Sequence, residues 1–201
     1  MVRAMKALTA RERDIEGLGV AIARNEWSQI VRHCADVQVQ AGRTIQNQSQ
    51  VAASWLFLSQ GVAASEQTWL DGSMTIARFF EPGNFCANLT SVWTRDIASD
   101  DLVAVTDVAG LAIPDGIFRR QYLDGGFFGR YLRLKMMEAH LFAKELICAK
   151  TSGQTETRYR FLEEYHQGVI GSVPQKDIAR FLGVTPQGLS RFLRRRKPDT
   201  G

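Results

Sequence analysis

The pattern of apolar and polar positions divides the chain into three stretches of different period. Glu12 to Cys34 carries helical spacing and predicts a short leading helical segment. From residue 35 to residue 115 the chain alternates and is punctuated by turn residues. Val37-Gln38-Val39-Gln40 ends at Ala41-Gly42, and the compact run Trp55-Leu56-Phe57-Leu58 closes at Gly61. Thr68 to Ile76 predicts a hairpin, because the central Asp71-Gly72 suits the positive φ angles of a tight primed turn. Glu81-Pro82-Gly83-Asn84 predicts another turn, and Leu102 to Val105 and Val108 to Ile113 predict two more strands. Short strands at roughly ten-residue spacing predict an antiparallel sandwich or jelly roll.

From about Phe118 to Lys150 the period becomes helical. Phe127, Leu134, Leu141 and Cys148 recur at seven-residue spacing, with Met137 three residues after Leu134, which is half of a heptad seam. Arg130 and Lys144 occupy the other half, so the repeat is imperfect. The stretch beginning at Gly126 would run for about 37 Å at 1.5 Å per residue, long for a helix in a small domain. A helix packed on its own sheets explains such a stripe. The reading taken is a two-stranded dimer helix with Phe127, Leu134, Met137, Leu141 and Cys148 at its interface. Thr151-Ser152-Gly153-Gln154-Thr155 then predicts a hinge.

The last fifty residues predict two short helices at a close crossing. Pro174 suits the first position of a helix through Leu182, and Gly183 ends it as a left-handed cap. Thr185 is a natural N-cap and Pro186 a natural first residue for the second helix. Ile178, Phe181, Leu182, Leu189, Phe192 and Leu193 face inward in this reading, with Val184 buried in the turn and small Ala179 and Gly183 at the crossing. Gln187, Ser190, Arg191, Arg194 and Arg195 face outward. That is the residue pattern of a helix-turn-helix.

Charge sharpens this picture. The net charge of +4 looks modest, yet residues 1–150 carry as many acids as bases, and residues 151–201 carry nine Lys/Arg against five Asp/Glu. Between Gln175 and Lys197 seven basic residues oppose a single acid, Asp177. A neutral body with a basic terminus points to a polyanion. The 45% apolar and 23% charged content is that of a folded chain rather than a disordered one. No apolar run approaches the ~18 residues of a membrane span, and the start has no apolar signal core, so a cytoplasmic protein without a membrane partner is expected. Cys34, Cys86 and Cys148 match no metal or redox spacing. His33, His140 and His166 are scattered, so neither a metal site, a cofactor nor an enzyme is expected.

The segment Pro174 to Arg191, reading PQKDIARFLGVTPQGLSR, closely resembles the DNA-binding motif of the Crp–Fnr family of transcription regulators. Ala41-Gly42-Arg43-Thr44-Ile45, Leu56 to Gly61 and Ala77 to Phe85 resemble the family's strand and turn signatures in the family's order. The resemblance implies an α+β protein: an antiparallel jelly-roll, cyclic-nucleotide-binding-like sensor barrel with N-terminal helices over 1–117, a dimerisation helix over 118–150 and a DNA-binding helix-turn-helix over 151–201. It implies a homodimer on a near-palindromic double-stranded site, with RNA polymerase a further partner for an activator.

Arg191, Gln187, Ser190 and Pro186 are the expected base readers, because an Arg fork matches the O6 and N7 edge of guanine. Gln175, Lys176, Arg180, Arg194, Arg195 and Arg196 are the expected phosphate contacts. The chain departs from the family's cyclic-nucleotide binders, which carry a Gly-Glu pair and an Arg-Ser or Arg-Thr pair on the phosphate loop. The matching positions are Ala87-Asn88 and Ala98-Ser99, followed by Asp100 and Asp101, so cyclic AMP is not the expected effector. An unidentified small molecule is the candidate effector, with Cys86, Asn88, Arg95 and Ser99 as the candidate pocket. The five residues after Arg196 are too few for the hairpin wing of most members, so a short form without an obvious wing is expected. The rival reading is a sensor whose basic terminus binds nucleic acid non-specifically.

Overall fold

The computed structural model describes residues 24–124 and 126–196. Of the leading helical segment it describes α1 (Arg24–Val31), and the part before Arg24 lies outside the described residues. Eight strands follow: β1 (Ala35–Val39), β2 (Thr44–Gln46), β3 (Ser54–Gln60), β4 (Ala63–Thr68), β5 (Met74–Phe80), β6 (Phe85–Cys86), β7 (Asp101–Ala104) and β8 (Val108–Pro114). A short helix, α2 (Leu89–Thr94), lies between β6 and β7. The strands pair antiparallel in two four-stranded sheets, ordered β1-β8-β3-β6 and β2-β7-β4-β5.

Strand β3 reads as a continuous apolar run because both of its faces are buried. Leu56 and Leu58 join Ala63, Phe80, Leu102 and Val108 in a core that spans the two sheets. Trp55 and Phe57, on the other face, join Trp27, Phe118, Phe128 and Tyr131. Trp55 stacks on Phe118 with ring centroids 3.9 Å apart. Its Nε1 donates to Asp115 Oδ1 at 3.1 Å. Asp115 is 3% exposed, and Arg95 and Arg119 both reach its Oδ2, so its buried charge is compensated.

The β4–β5 connection corrects the expected primed turn. Only Gly72 takes a positive φ, +80°, whereas a type I′ turn would need Asp71 there as well. Asp71 instead accepts from the backbone N and the Oγ of Ser73, and Gly72 N donates back to Trp69 O at 2.9 Å. The local Asx hydrogen bonds outweigh the two-residue preference, and the loop is longer.

The helical stretch expected over 118–150 is two helices, α3 (Asp115–Asp124) and α4 (Phe127–Thr151). Gly126 is extended (φ −61°, ψ 179°), and the Glu26 carboxylate from α1 accepts from Phe128 N at 2.9 Å, anchoring the start of α4. Phe128, Tyr131 and Leu132 are fully buried, so the first turns of α4 belong to the core. Three more helices, α5 (Thr155–Tyr165), α6 (Gln175–Leu182) and α7 (Pro186–Arg196), fold back against β4 and β5. Val62, Ala64, Ile76 and Phe79 there share one core with Phe161, Leu162, Ile178, Phe181, Leu182 and Leu189. The terminal helices thus pack on the sheets of their own chain.

Phe181 is fully buried where the sheets and the terminal helices meet. Phe181→Ala should therefore destabilise the chain by about 3–5 kcal/mol in guanidinium unfolding.

Candidate nucleic-acid interface and the cavity beside the long helix

The crossing of α6 and α7 is built by local chemistry. Pro174 precedes α6 as its cap (φ −55°, ψ 138°), one position earlier than expected, and its carbonyl accepts from Asp177 N and Ile178 N. Gly183 sits left-handed at φ 65°, ψ 39°, and its N–H turns back to Ala179 O and Arg180 O. Val184 N donates to Ala179 O at 3.0 Å, and Thr185 Oγ1 accepts from Gly188 N at 3.0 Å to cap α7. Ala179 and Leu189 are fully buried at the crossing, whereas Val184, expected buried, is half-buried.

The outward face of α7 carries the expected base readers together. Pro186, Gln187, Ser190, Arg191 and Arg194 line one shallow depression. All are exposed except Ser190, which is half-buried. Gln175 and Lys176 are exposed at the start of α6, and Arg195 is exposed near the end of α7. Among the described residues, no acid pairs with Arg191, Arg194 or Arg195.

Two of the expected phosphate contacts are engaged inside the chain instead. Arg180 is paired with Asp177 at 3.1 Å and with Glu66 of β4 at 3.6 Å. Burial lifts the Glu66 carboxyl above the usual carboxylate range against the pull of Arg180. Arg196 forms a bidentate pair with Glu163, both contacts at 2.8 Å, and lies over the Tyr159 ring. Asp177 lies three residues before Arg180 on the same helix, but Glu66 and Glu163 come from elements distant in sequence, so those two pairs are not visible in the local pattern.

Along α4 the expected seam residues divide. Met137 and Leu141 are 58% and 53% exposed, Cys148 is exposed and Leu134 is half-buried. The Phe127 side chain lies outside the described residues.

A cavity of about 610 Å³ lies between the sheets and α4. Its walls include Trp55, Phe80, Phe85 and Ala87 from the sheet side and Lys135, Met136, Leu141 and Phe142 from α4. None of Cys86, Asn88, Arg95 and Ser99 lines it. Arg95 is 54% exposed and bound to Asp115 at 2.6 Å. Cys86 is buried in the core that spans the sheets, its thiol donating to Leu56 O and pushed up to about 12 by burial, which leaves it unreactive at neutral pH. Asn88 is buried as the cap of α2 and holds Asp100, and Ser99 also donates to Asp100. Asp100 does line the cavity, so Asn88 and Ser99 stand one residue behind its wall. The residue missed from sequence is Arg78, which does line it.

Solved structures of similar fold include proteins named as regulators. FixK2 from Bradyrhizobium japonicum superposes with a TM-score of 0.67 at 18% identity, covering 81% of this chain and 83% of that one. The c-di-GMP-responsive global regulator CLP from Xanthomonas campestris gives 0.62 at 12% identity, covering 88% and 93%. A protein from Eubacterium rectale assigned to the Crp/Fnr family of transcriptional regulators gives 0.66 at 18% identity, covering 87% and 83%. This chain has the Crp/Fnr fold. No family model and no curated protein matches it in sequence.

Within the Crp/Fnr fold, the outer face of α7 carries Arg191, Arg194 and Arg195 with no acid partner among the described residues, and the cavity lies against the long helix. No helix among the described residues is long and apolar enough to cross a membrane.

A Cβ added at Gly183 would meet nothing closer than Arg158 Nη1 at 3.5 Å, so the left-handed backbone alone sets the cost of replacing it. Gly183→Ala should lower unfolding stability by about 1 kcal/mol in thermal denaturation, without loss of helix content by circular dichroism.

Proposed function

We propose that this chain is a sequence-specific, dimeric DNA-binding transcription regulator. The observation that carries the reading is the exposed face of α7, where Arg191 stands beside Gln187, Ser190 and Arg194 with no acid among the described residues to occupy it. In this reading α6 and α7 form a helix-turn-helix and α7 enters the major groove. Arg191 reads a guanine edge, Gln187 and Ser190 reach neighbouring bases, and Pro186 touches a thymine methyl. Gln175, Lys176, Arg194 and Arg195 hold phosphates, which positions the module without specifying sequence.

In this reading the two four-stranded sheets are a jelly roll and form the sensor part up to about residue 117. The exposed Met137, Leu141 and Cys148 face of α4 forms the dimer seam. A dimer sets two recognition helices roughly 34 Å apart, one DNA turn, and so selects a near-palindromic site. The resemblance in fold to the Crp/Fnr regulators supports the same reading.

Selection of random duplex DNA by the purified chain at physiological salt tests the proposal. The expected product is a motif of two spaced half-sites, and Arg191→Ala should lose about 1–3 kcal/mol of discrimination at one base pair of each half-site. Enrichment of no motif, with binding that fades steeply as salt rises, would instead mean phosphate contact alone. A Met137→Glu, Leu141→Glu double variant should sediment as a monomer while keeping its circular dichroism, and a variant that stays dimeric would move the seam elsewhere.

A further inference from the structure

Helix α5 holds the basic helix α7 at both ends. At the start, Arg158 Nη1 donates to Leu182 O at 2.9 Å and to Gly183 O at 3.3 Å, the two carbonyls that open the turn between α6 and α7. Among the described residues no acid pairs with Arg158, and its charge is spent on the carbonyl end of α6. At the far end, Tyr159 and Glu163 lie four residues apart on one face of α5, opposite Phe192 and Arg196, four apart on α7. The Tyr159 and Phe192 rings meet at 5.4 Å, and the Arg196 guanidinium lies 5.1 Å from the Tyr159 ring. Glu163 closes on Arg196 in two contacts at 2.8 Å, and Glu156 stands 3.8 Å away.

Arg191 precedes Phe192 by one residue, about 100° round the helix at 3.6 residues per turn. Seating Phe192 and Arg196 against α5 therefore fixes the direction in which Arg191 leaves α7. A phosphate contact tolerates displacement, because the DNA backbone presents a charge at every nucleotide. A guanine edge does not, since both donors of an Arg fork must match O6 and N7 together. The rotation of α7 about its own axis is thus felt in base discrimination far more than in backbone affinity. Arg196 has the charge of a phosphate contact, but Glu163 and the Tyr159 ring already use its planar fork.

We propose that Arg158, Glu163 and Arg196 are positioning residues for base recognition. They align α7 so that Arg191 meets a base edge, with Arg196 serving α5 and not the DNA backbone. This inference rests on the DNA-binding reading above, so one arm of its test is run without DNA.

In that arm, hydrogen exchange of the backbone amides of Leu193 to Arg196 is followed in the free, full chain. Glu163→Gln and Arg196→Gln should each speed it about threefold, and the double variant no more than either single one. In the other arm, affinity is measured for the duplex enriched by selection and for a scrambled duplex. Glu163→Gln, Arg196→Gln and Arg158→Met should each lower the ratio of the two affinities roughly fivefold, the lower end of a bidentate base contact. Arg158→Lys, which keeps a donor for the two carbonyls, should retain most of the ratio. On scrambled duplex, Arg196→Gln should leave the dependence of log affinity on log salt unchanged. A phosphate-holding Arg196 would instead lower that slope by about 0.9, which would overturn the proposal. So would unchanged exchange at the end of α7, or a loss of affinity shared equally by both duplexes. A wild type that protects these amides but selects no motif would overturn the DNA-binding reading, and the positioning role with it.

Discussion

Four rings from four elements meet around His166, and the seating of the terminal helices on the sheets depends on their packing. Phe79 comes from β5, Phe142 from α4, His166 from the end of α5 and Phe181 from α6. The His166 ring lies 6.0 Å from Phe79, 5.2 Å from Phe142 and 5.7 Å from Phe181, and Phe79 lies 5.1 Å from Phe181. His166 Nδ1 also meets Glu81 Oε2 at 2.8 Å, tying the end of α5 to the turn after β5. Edge-to-face rings fill volume with defined geometry, so shifting one shifts the others. The orientation of α6 and α7 is thereby coupled to the sheets, and the same Phe142 that closes this junction also forms part of the cavity wall beside Arg78.

The arginines show how one side-chain type takes different work from its surroundings. Arg180 and Arg196 lie on the basic terminal helices, yet Glu66, Asp177 and Glu163 occupy them. The more exposed Arg196–Glu163 pair contributes about 0–1 kcal/mol, whereas Asp177 and Glu66 are largely buried beside Arg180; in both places the pairing turns a cation away from the outer face. Arg191, Arg194 and Arg195 keep theirs toward solvent. Arg95 and Arg119 compensate buried Asp115 just after β8, and half-buried Arg78 lies over the Phe80 and Phe142 rings.

Where the sequence reading succeeded, the information was local. Gly183 must be left-handed to turn α6 into α7, Thr185 supplies a hydroxyl to the next helix, and Pro174 and Pro186 suit helix starts, each for reasons confined to a few residues. Strand β3 was legible because a run of large apolar residues bounded by Gly61 is what a strand buried on both faces requires. The Asp71-Gly72 turn misled because Ser73, one residue on, offers Asp71 a competing pair of hydrogen bonds. The break at Gly126 was half legible: a glycine permits it, but Glu26, about a hundred residues earlier, stabilises the new helix start.

By itself the sequence determined the order of elements, the two caps of the terminal crossing and the position of the basic face, because periodicity and capping act over one or two turns. Tertiary structure alone decided which cations remain available and where the cavity lies. Arg95 looked like an anion ligand until the end of β8 brought Asp115 beside it, and only the β5 bulge and α4 set the Arg78 guanidinium over the Phe80 and Phe142 rings. Burial and charge pairing are set by residues that folding brings together from far apart in the chain, and no local pattern records which ones will meet.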